Sequence, residues 1–430
     1  MTIPFIGLIT YLLFVYFEPN VFFPILATIR APLIIILLTA IITVINGGRP
    51  IKSRQTILLI LIIVIGVVSV LTSPIPNFTF PGDLGTTYEA NLSDLKHLFQ
   101  WAAMFFLFTM ICGDKRNIGR LYYILLLYAS VIGIASLTAD WIGAVPLKGG
   151  VATLDYERLT NFFGGFGNTT NEFAAFMLFM FPLPLCMIQD EKSFVKKIIF
   201  TILSLIFVAC VIKTQSRGAF VGLVFVLLII IWNFRKKIGL LILVFIIVLY
   251  AGINSSYEYR ERVSSLRYEE VKEGKTGRGR IIQYKYSAEL IKSYPFTGTG
   301  IGTFKLGKIY LLGLNPYTND ARQDTHNAFL ELAAEIGLPA LILYFFLILF
   351  SLRDIKFAEN VFKSRKDFEK LSGMISGIKI GFYGFLISIL FLSEQYNLIL
   401  AQCFAFSVIS KMIAERSIIT TAESTLNFKE

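Results

Sequence analysis

The sequence predicts an all-α polytopic integral membrane protein with about twelve transmembrane helices and one long external loop that carries short helices. Three observations lead there. Of 430 residues, 55% are hydrophobic and only 16% are charged, and the mean hydropathy is +0.68. Soluble domains carry about 25% charged residues. The apolar residues also come in blocks near the length of about 20 residues that crosses the hydrocarbon core. Finally, Lys and Arg concentrate in alternate loops, as the positive-inside rule requires. An ordinary cytoplasmic domain is excluded. So is a disordered chain, which needs low hydrophobicity and high charge. A transmembrane β-barrel would show short alternating segments instead of long apolar runs.

The candidate spans, in order, are 3–17, 31–46, 56–73, 96–112, 119–138, 172–188, 197–213, 218–234, 238–254, 335–352, 375–393 and 397–414. The first lacks the basic n-region of a signal peptide and is followed by further apolar segments, so it reads as a span. Residues 19–29, broken by Pro19 and Pro24, read as a re-entrant or interfacial piece. Three parts follow from this count: residues 1–254 with nine spans, a hydrophilic loop over 255–334, and residues 335–430 with the last three spans and a tail. Gly373, Gly377 and Gly381, four apart on the eleventh span, read as a packing stripe.

Orientation comes from the short loops. One set holds Arg49, Lys52 and Arg54, then Lys115 and Arg116, then Lys192, Lys196 and Lys197, then Arg235 to Lys237, then Lys356 to Lys370. The other set is poor in cations: 74–94 has Asp83, Glu89 and Asp94 with no Lys or Arg, and 394–396 has only Glu394. Both termini are then expected in the cytoplasm and the 255–334 loop outside. The net charge of +11 is mostly this bias, so it does not point to nucleic acid. The four cysteines lie inside apolar runs without a CxxC pair, and only His97 and His326 occur as histidines. Neither a disulfide framework nor a Cys/His metal cluster is indicated.

Four segments at the external face could carry chemistry. In Thr214-Gln215-Ser216-Arg217-Gly218, Arg217 stands where two apolar runs meet. A guanidinium there either snorkels or offers planar donors to a phosphate. In Thr276-Gly277-Arg278-Gly279-Arg280, two arginines precede an amphipathic run with apolar positions Ile281, Ile282, Ala288 and Ile291 and with Tyr284 between them. That run predicts a short helix on the membrane surface with Arg280 in its first turn, where anions are favoured. Residues 295–302, with Gly298, Gly300 and Gly302, lack the βα unit of a dinucleotide fingerprint and predict a tight turn. In Asp324-Thr325-His326-Asn327, Asp324 or Thr325 is placed to cap the tenth span, with His326 in its first turn. A histidine with a pKa of about 6.5 suits proton removal near neutrality. His97, beside Lys96, reads as interfacial. Glu172 and Asn171 read as helix-start residues of the sixth span. Asp320, Asp324 and Glu331 are acids, but their spacing matches no metal or glycosidase site.

Taken together and in order, the segments TQSRGAFVGL at 214–223, GRIIQYKYSAELIKSYPFTGTGIGTF at 279–304 and HNAFLELAAEIGLPALILYF at 326–345, with FGGFGNTTNEFAAF at 163–176, resemble the O-antigen ligase and O-antigen polymerase superfamily of bacterial membrane glycosyltransferases. The resemblance covers about residues 160–352 well and the flanking spans only by count. It implies an undecaprenyl-diphosphate-linked glycan donor, no cofactor and no metal. The implied acceptor is lipid A–core or another glycan or protein. It also implies an active site on the periplasmic face of the bacterial inner membrane. By that similarity Arg217 and Arg280, with Arg278, would hold the diphosphate, and His326 would act on the acceptor hydroxyl. Tyr284, Asn327 and Tyr317 would be glycan or acceptor contacts. Tyr284 stands where many relatives carry Trp. External-loop arginines followed eleven residues later by glycine, typical of some polymerases, are absent here. That favours a ligase or a protein O-oligosaccharyltransferase over a polymerase. The rival of another class is a lipid-linked glycan flippase. Transporters carry ionisable groups near the midplane, whereas here these groups cluster at span ends.

Overall fold

In the computed structural model, residues 2–81, 84–142, 147–148, 151–152, 158–165, 169–233 and 277–427 are described. They form helices α1 (Ile3–Phe17), α2 (Pro24–Thr28), α3 (Ala31–Ile45), α4 (Arg54–Leu71), α5 (Thr87–Ile111) and α6 (Lys115–Trp141). A two-residue hairpin, β1 (Leu147–Lys148) and β2 (Val151–Ala152), follows. Then come α7 (Thr170–Met180), α8 (Pro182–Met187), α9 (Phe194–Lys213) and α10 (Arg217–Asn233). The chain continues with α11 (Gly277–Ser293), α12 (Phe304–Tyr310), α13 (Asn319–Arg322) and α14 (Ala328–Ile336). It closes with α15 (Leu338–Lys363), α16 (Glu369–Ser388) and α17 (Leu398–Asn427).

The fold is helical as expected, and every candidate span except 238–254 falls on helix; that segment lies outside the described residues. Among the described residues, seven helical segments are long and apolar enough to cross a membrane, and α1, α3 and α10 are shorter apolar helices. Their outward faces carry Leu33, Leu37, Ile57, Leu71, Phe194 and Ile342, all well exposed. Apolar surface on that scale needs lipid to cover it. Two details differ from the sequence reading. The sixth span is broken at Phe181, because Pro182 cannot donate to the carbonyl one turn back. The tenth does not run unbroken from its histidine motif: α14 ends at Gly337 (φ 89°), and a new helix starts there with Pro339 in its first turn.

Packing explains why the bundle holds. Trp101 stacks on Tyr344 at 6.1 Å and meets Phe404 edge-on at 5.8 Å, tying α5, α15 and α17 together. Buried hydroxyls find carbonyls: Tyr122 donates to Leu183 O (2.6 Å) and Tyr344 to Gln395 O (2.7 Å). The glycine stripe of α16 lies against the backbone of α7 and α8. A Cβ at Gly381 would stand 2.4 Å from Phe179 O, and one at Gly377 2.9 Å from Leu183 Cα. Backbone cannot yield as a side-chain tip can. Gly381→Val is therefore expected to cost about 1–3 kcal/mol. A lowered thermal unfolding midpoint in detergent checks this, and an unchanged midpoint would remove the close approach as a stability determinant.

The bundle has two chemically different ends. At one, the basic loops meet: Gln55 Nε2 donates to Asp354 (2.7 Å), Lys411 pairs with Asp354 (3.1 Å), and Lys115 donates to Asp367 O. At the other gather the end of α4, the starts of α5, α7 and α10, and α11–α14. Ser73 after α4 donates to Thr299 O (2.6 Å), and Lys213 at the end of α9 pairs with Asp140 at the end of α6 (3.1 Å).

Candidate functional site

The glycine turn before α12 forms the floor of the second end. Gly298, Gly300 and Gly302 have φ of 67°, 109° and 74°. A Cβ at Gly298 would fall 2.3 Å from the Glu335 carbonyl, and one at Gly302 2.6 Å from Ala90 O. These are positions for glycine alone. The turn hydrogen-bonds to α14 through Thr299 N–H to Ala334 O and Gly300 N–H to Glu335 O, both 2.9 Å. Helix α11 docks on this floor with Gln283, Ser287 and Leu290. That corrects the face expected from the sequence: Ile281 and Ala288 are exposed, and a polar pair takes the buried side. The cause is Lys308, wholly buried, whose ammonium donates to Gln283 Oε1, Asp320 O and Gln323 O, each at 2.6 Å. Three acceptors satisfy the ammonium, while burial pushes its pKa down to about 7. A polar face can be buried because it is fully paired.

His326 sits on the turn between α13 and α14. The cap of α14 is Asn327, whose Oδ1 accepts from Phe329 N (3.0 Å) and Leu330 N (3.1 Å). Neither Asp324 nor Thr325 caps it, and His326 lies outside the helix in the left-handed region (φ 53°). Below the turn is a buried carboxyl. Thr325 Oγ1 lies 2.6 Å from Glu331 Oε2, and Ser393 also hydrogen-bonds to Glu331. Ser393 Oγ in turn accepts the His326 N–H at 3.0 Å. Glu331 thereby fixes the backbone of His326 through two hydroxyls. Burial, reinforced by the charge of Asp324, pushes Glu331 up to about 7, against the bonds from Ser393 and Thr325. Asp324 pairs with Lys305 at 2.9 Å.

The imidazole itself has no hydrogen bond to any described residue. Burial holds it below the usual histidine range, and the Arg280 guanidinium pushes the same way, against Asp324. It is therefore neutral at neutral pH. Arg280, half-buried at the start of α11, lies over the Phe391 ring (5.6 Å). Its pKa is lowered by burial and by the like charge of Arg217, against Tyr284. Arg217 opens α10, where Gly218 allows close contact with Phe391: an added Cβ would stand 2.8 Å from it. Arg217, Arg280 and His326 thus surround the short turn after α16. Tyr284, one turn beyond Arg280, reaches Leu390 O at 3.5 Å. Tyr317 is exposed on the turn before α13, and among the described residues it has no hydrogen bond or ring contact with this cluster. The side chain of Arg278 lies outside the described residues.

Two adjacent cations beside a neutral imidazole can neutralise a dianionic leaving group while a proton is removed nearby. With that geometry in view, the comparison with known families is informative. Residues 199–345 match the O-antigen ligase family. No curated protein matches the chain. The match runs from α9 into α15 and contains Arg217, Arg280 and His326. It supports the O-antigen ligase and polymerase superfamily, whose members are glycosyltransferase-like enzymes.

Several residues around the matched segment carry no motif and were missed in the sequence. Phe391 and Ser393 come from the turn after α16 and complete the walls around Arg280 and His326. Arg158 braces the same end, donating to Thr214 O (3.0 Å) and Asn171 Oδ1 (3.2 Å). Glu394 hydrogen-bonds to Glu172, and burial and that neighbouring carboxyl raise its pKa. Glu172 is therefore more than a helix-start residue. The one signal pointing to Glu394 was its position as a lone ionisable group in a very short loop between two spans.

Proposed function

We propose that this protein is a glycosyltransferase that moves a glycan from undecaprenyl diphosphate to an acceptor hydroxyl at the outer face of the bacterial inner membrane. Arg217 and Arg280 bind the diphosphate. Neutral His326 removes the proton from the attacking hydroxyl as the anomeric C–O bond to phosphate breaks, so the anomeric centre inverts. The proton goes to the imidazole and the charge to undecaprenyl diphosphate. The observation that carries this reading is that Arg280, the Arg217-Gly218 start of α10 and the His326 backbone all meet the Phe391–Ser393 turn. This reading takes about twelve spans, with the basic loops and both termini in the cytoplasm and this end of the bundle outside. The acceptor in this reading is lipid A–core or a related surface acceptor.

The test is a gene deletion in the native host, complemented with wild type or His326→Ala, followed by profiling of surface and lipid-linked glycans. The expected result is loss of the surface ladder with long polymer on the lipid carrier, unrescued by His326→Ala. Single repeats at the surface without long chains would mean a polymerase. Lipid-linked glycan trapped on the cytoplasmic face would replace the transferase with a flippase.

A further inference from the structure

A groove of about 730 Å³ runs between α3 and α5, backed by Tyr11 of α1. Its walls are apolar over most of their length, with Leu33, Leu37 and Val44 on one side and Phe99, Phe106 and Met110 on the other. From Arg30 to Val44, and from Lys96 to Met110, the helical rise is about 21 Å. That exceeds the roughly 15 Å of hydrocarbon in one leaflet. Polar character is confined to one end, where Arg30 precedes α3 and Lys96 stands early in α5. Neither cation has an ion pair or hydrogen bond with a described residue. Arg30 also takes a left-handed backbone (φ 52°) between α2 and α3.

Directly beyond the cations lies a second cavity of about 470 Å³, sharing Tyr11, Pro32 and Gln100 with the groove. Its chemistry is reversed. Glu18, Glu172 and Glu394 line it with Asn20, His97 and Asn397. The hydroxyl of Tyr396, also in its wall, is buried without a partner. Carboxylates accept hydrogen bonds from neutral hydroxyls and repel phosphate, and amides pair with those hydroxyls as donor or acceptor. Glu394 directly follows Ser393, whose hydroxyl accepts the His326 N–H at 3.0 Å. Apolar groove, paired cations, polyol-type pocket and His326 therefore follow one another in space.

We infer that this path is a second lipid site, which takes a membrane lipid whose phosphate carries a sugar and presents that sugar towards His326. The chain lies along α3 and α5, the phosphate rests between Arg30 and Lys96, and the sugar hydroxyls meet Glu18, Asn20 and Asn397. The inference rests on the transferase reading for its direction: with the donor diphosphate at Arg217 and Arg280, the lipid in this groove is the acceptor. A protein acceptor would have no use for it.

The test is native mass spectrometry of the purified full-length protein titrated with undecaprenyl-phosphate-glucose. Wild type is expected to bind two molecules, and Arg217→Gln/Arg280→Gln one. In that second background, Arg30→Gln/Lys96→Gln should weaken the remaining site about 30-fold, from two cations worth about tenfold or less each near a membrane surface. Arg30→Lys should retain binding. Ala40→Trp, which fills the groove from α3 without touching a charge, should also abolish the site. A thermal midpoint within a few degrees of wild type verifies folding of each variant. Unchanged binding in Arg30→Gln/Lys96→Gln would overturn the site. Equal weakening for phosphatidylglycerol would also overturn it, reducing the groove to an annular lipid contact. Equal affinity for undecaprenyl phosphate without the sugar would overturn the sugar pocket. Because binding is read without turnover, loss of transfer activity alone leaves this result intact.

Discussion

His326→Gln is expected to reduce glycosyl transfer by 10²–10⁴-fold while leaving the protein folded and able to bind the lipid-linked donor. The fold survives because what the bundle uses of His326 is its backbone. Its N–H donates to Ser393, and α14 is capped by Asn327. Glutamine is less at ease than histidine in the left-handed region, but strain at one residue costs only about 1–2 kcal/mol, and no described hydrogen bond of the imidazole is lost. Donor binding survives because the cations at Arg217 and Arg280 remain. The check is single-turnover transfer beside donor binding on the same preparation. A variant that binds donor and turns over at more than a tenth of the wild-type rate would remove His326 as the base. If Glu331→Gln were to abolish transfer with His326 intact, the buried carboxyl would take that role. The geometry favours the imidazole, since both hydroxyls that reach Glu331 are spent on holding its backbone, Thr325 from the residue before it and Ser393 by accepting its N–H.

How much of this was legible beforehand depends on the range of the interaction that specifies it. The spans were legible because each helix buries or exposes its own apolar run, and hydropathy records that locally. The glycine turn was legible for the same reason: Gly298, Gly300 and Gly302 each need a positive φ that few other residues tolerate. The buried face of α11 was not. It is chosen by Lys308, twenty-five positions after Gln283, whose ammonium turns a polar face into a paired one. The cap of α14 was misassigned because Asp324, Thr325 and Asn327 are all good cap residues and only the path of the chain selects among them. Asp324 is committed to Lys305 and Thr325 to Glu331, which leaves Asn327. Of the residues expected to act together, Arg217, Arg280 and His326 converge, and Tyr317 stands apart. Phe391 and Ser393, which bring the three to one turn, had no motif because an aromatic and a hydroxyl at a span end are commonplace.

Arg280→Gln separates two jobs that the proposed reaction assigns to one guanidinium. Its first is electrostatic stabilisation of the departing diphosphate, and losing one such donor typically costs 10²–10³-fold in rate. Its second acts through His326. The positive charge of Arg280 helps to hold the imidazole below the ordinary histidine range. Only the neutral imidazole can accept a proton, so transfer falls as pH drops through its pKa. In wild type that fall lies below about pH 6.5, the unperturbed value. Removing the Arg280 charge lets the pKa rise, and the acid limb of the rate profile moves to higher pH. Arg280→Gln should therefore lose more activity at pH 6 than at pH 8. Arg280→Lys keeps the charge but loses the planar pair of donors. It should show a lowered rate with the acid limb near its wild-type position. A purely structural role would depress both variants evenly at every pH. Identical profiles after normalisation would mean that Arg280 and His326 do not interact during transfer. The site would then be two independent features sharing one end of the bundle.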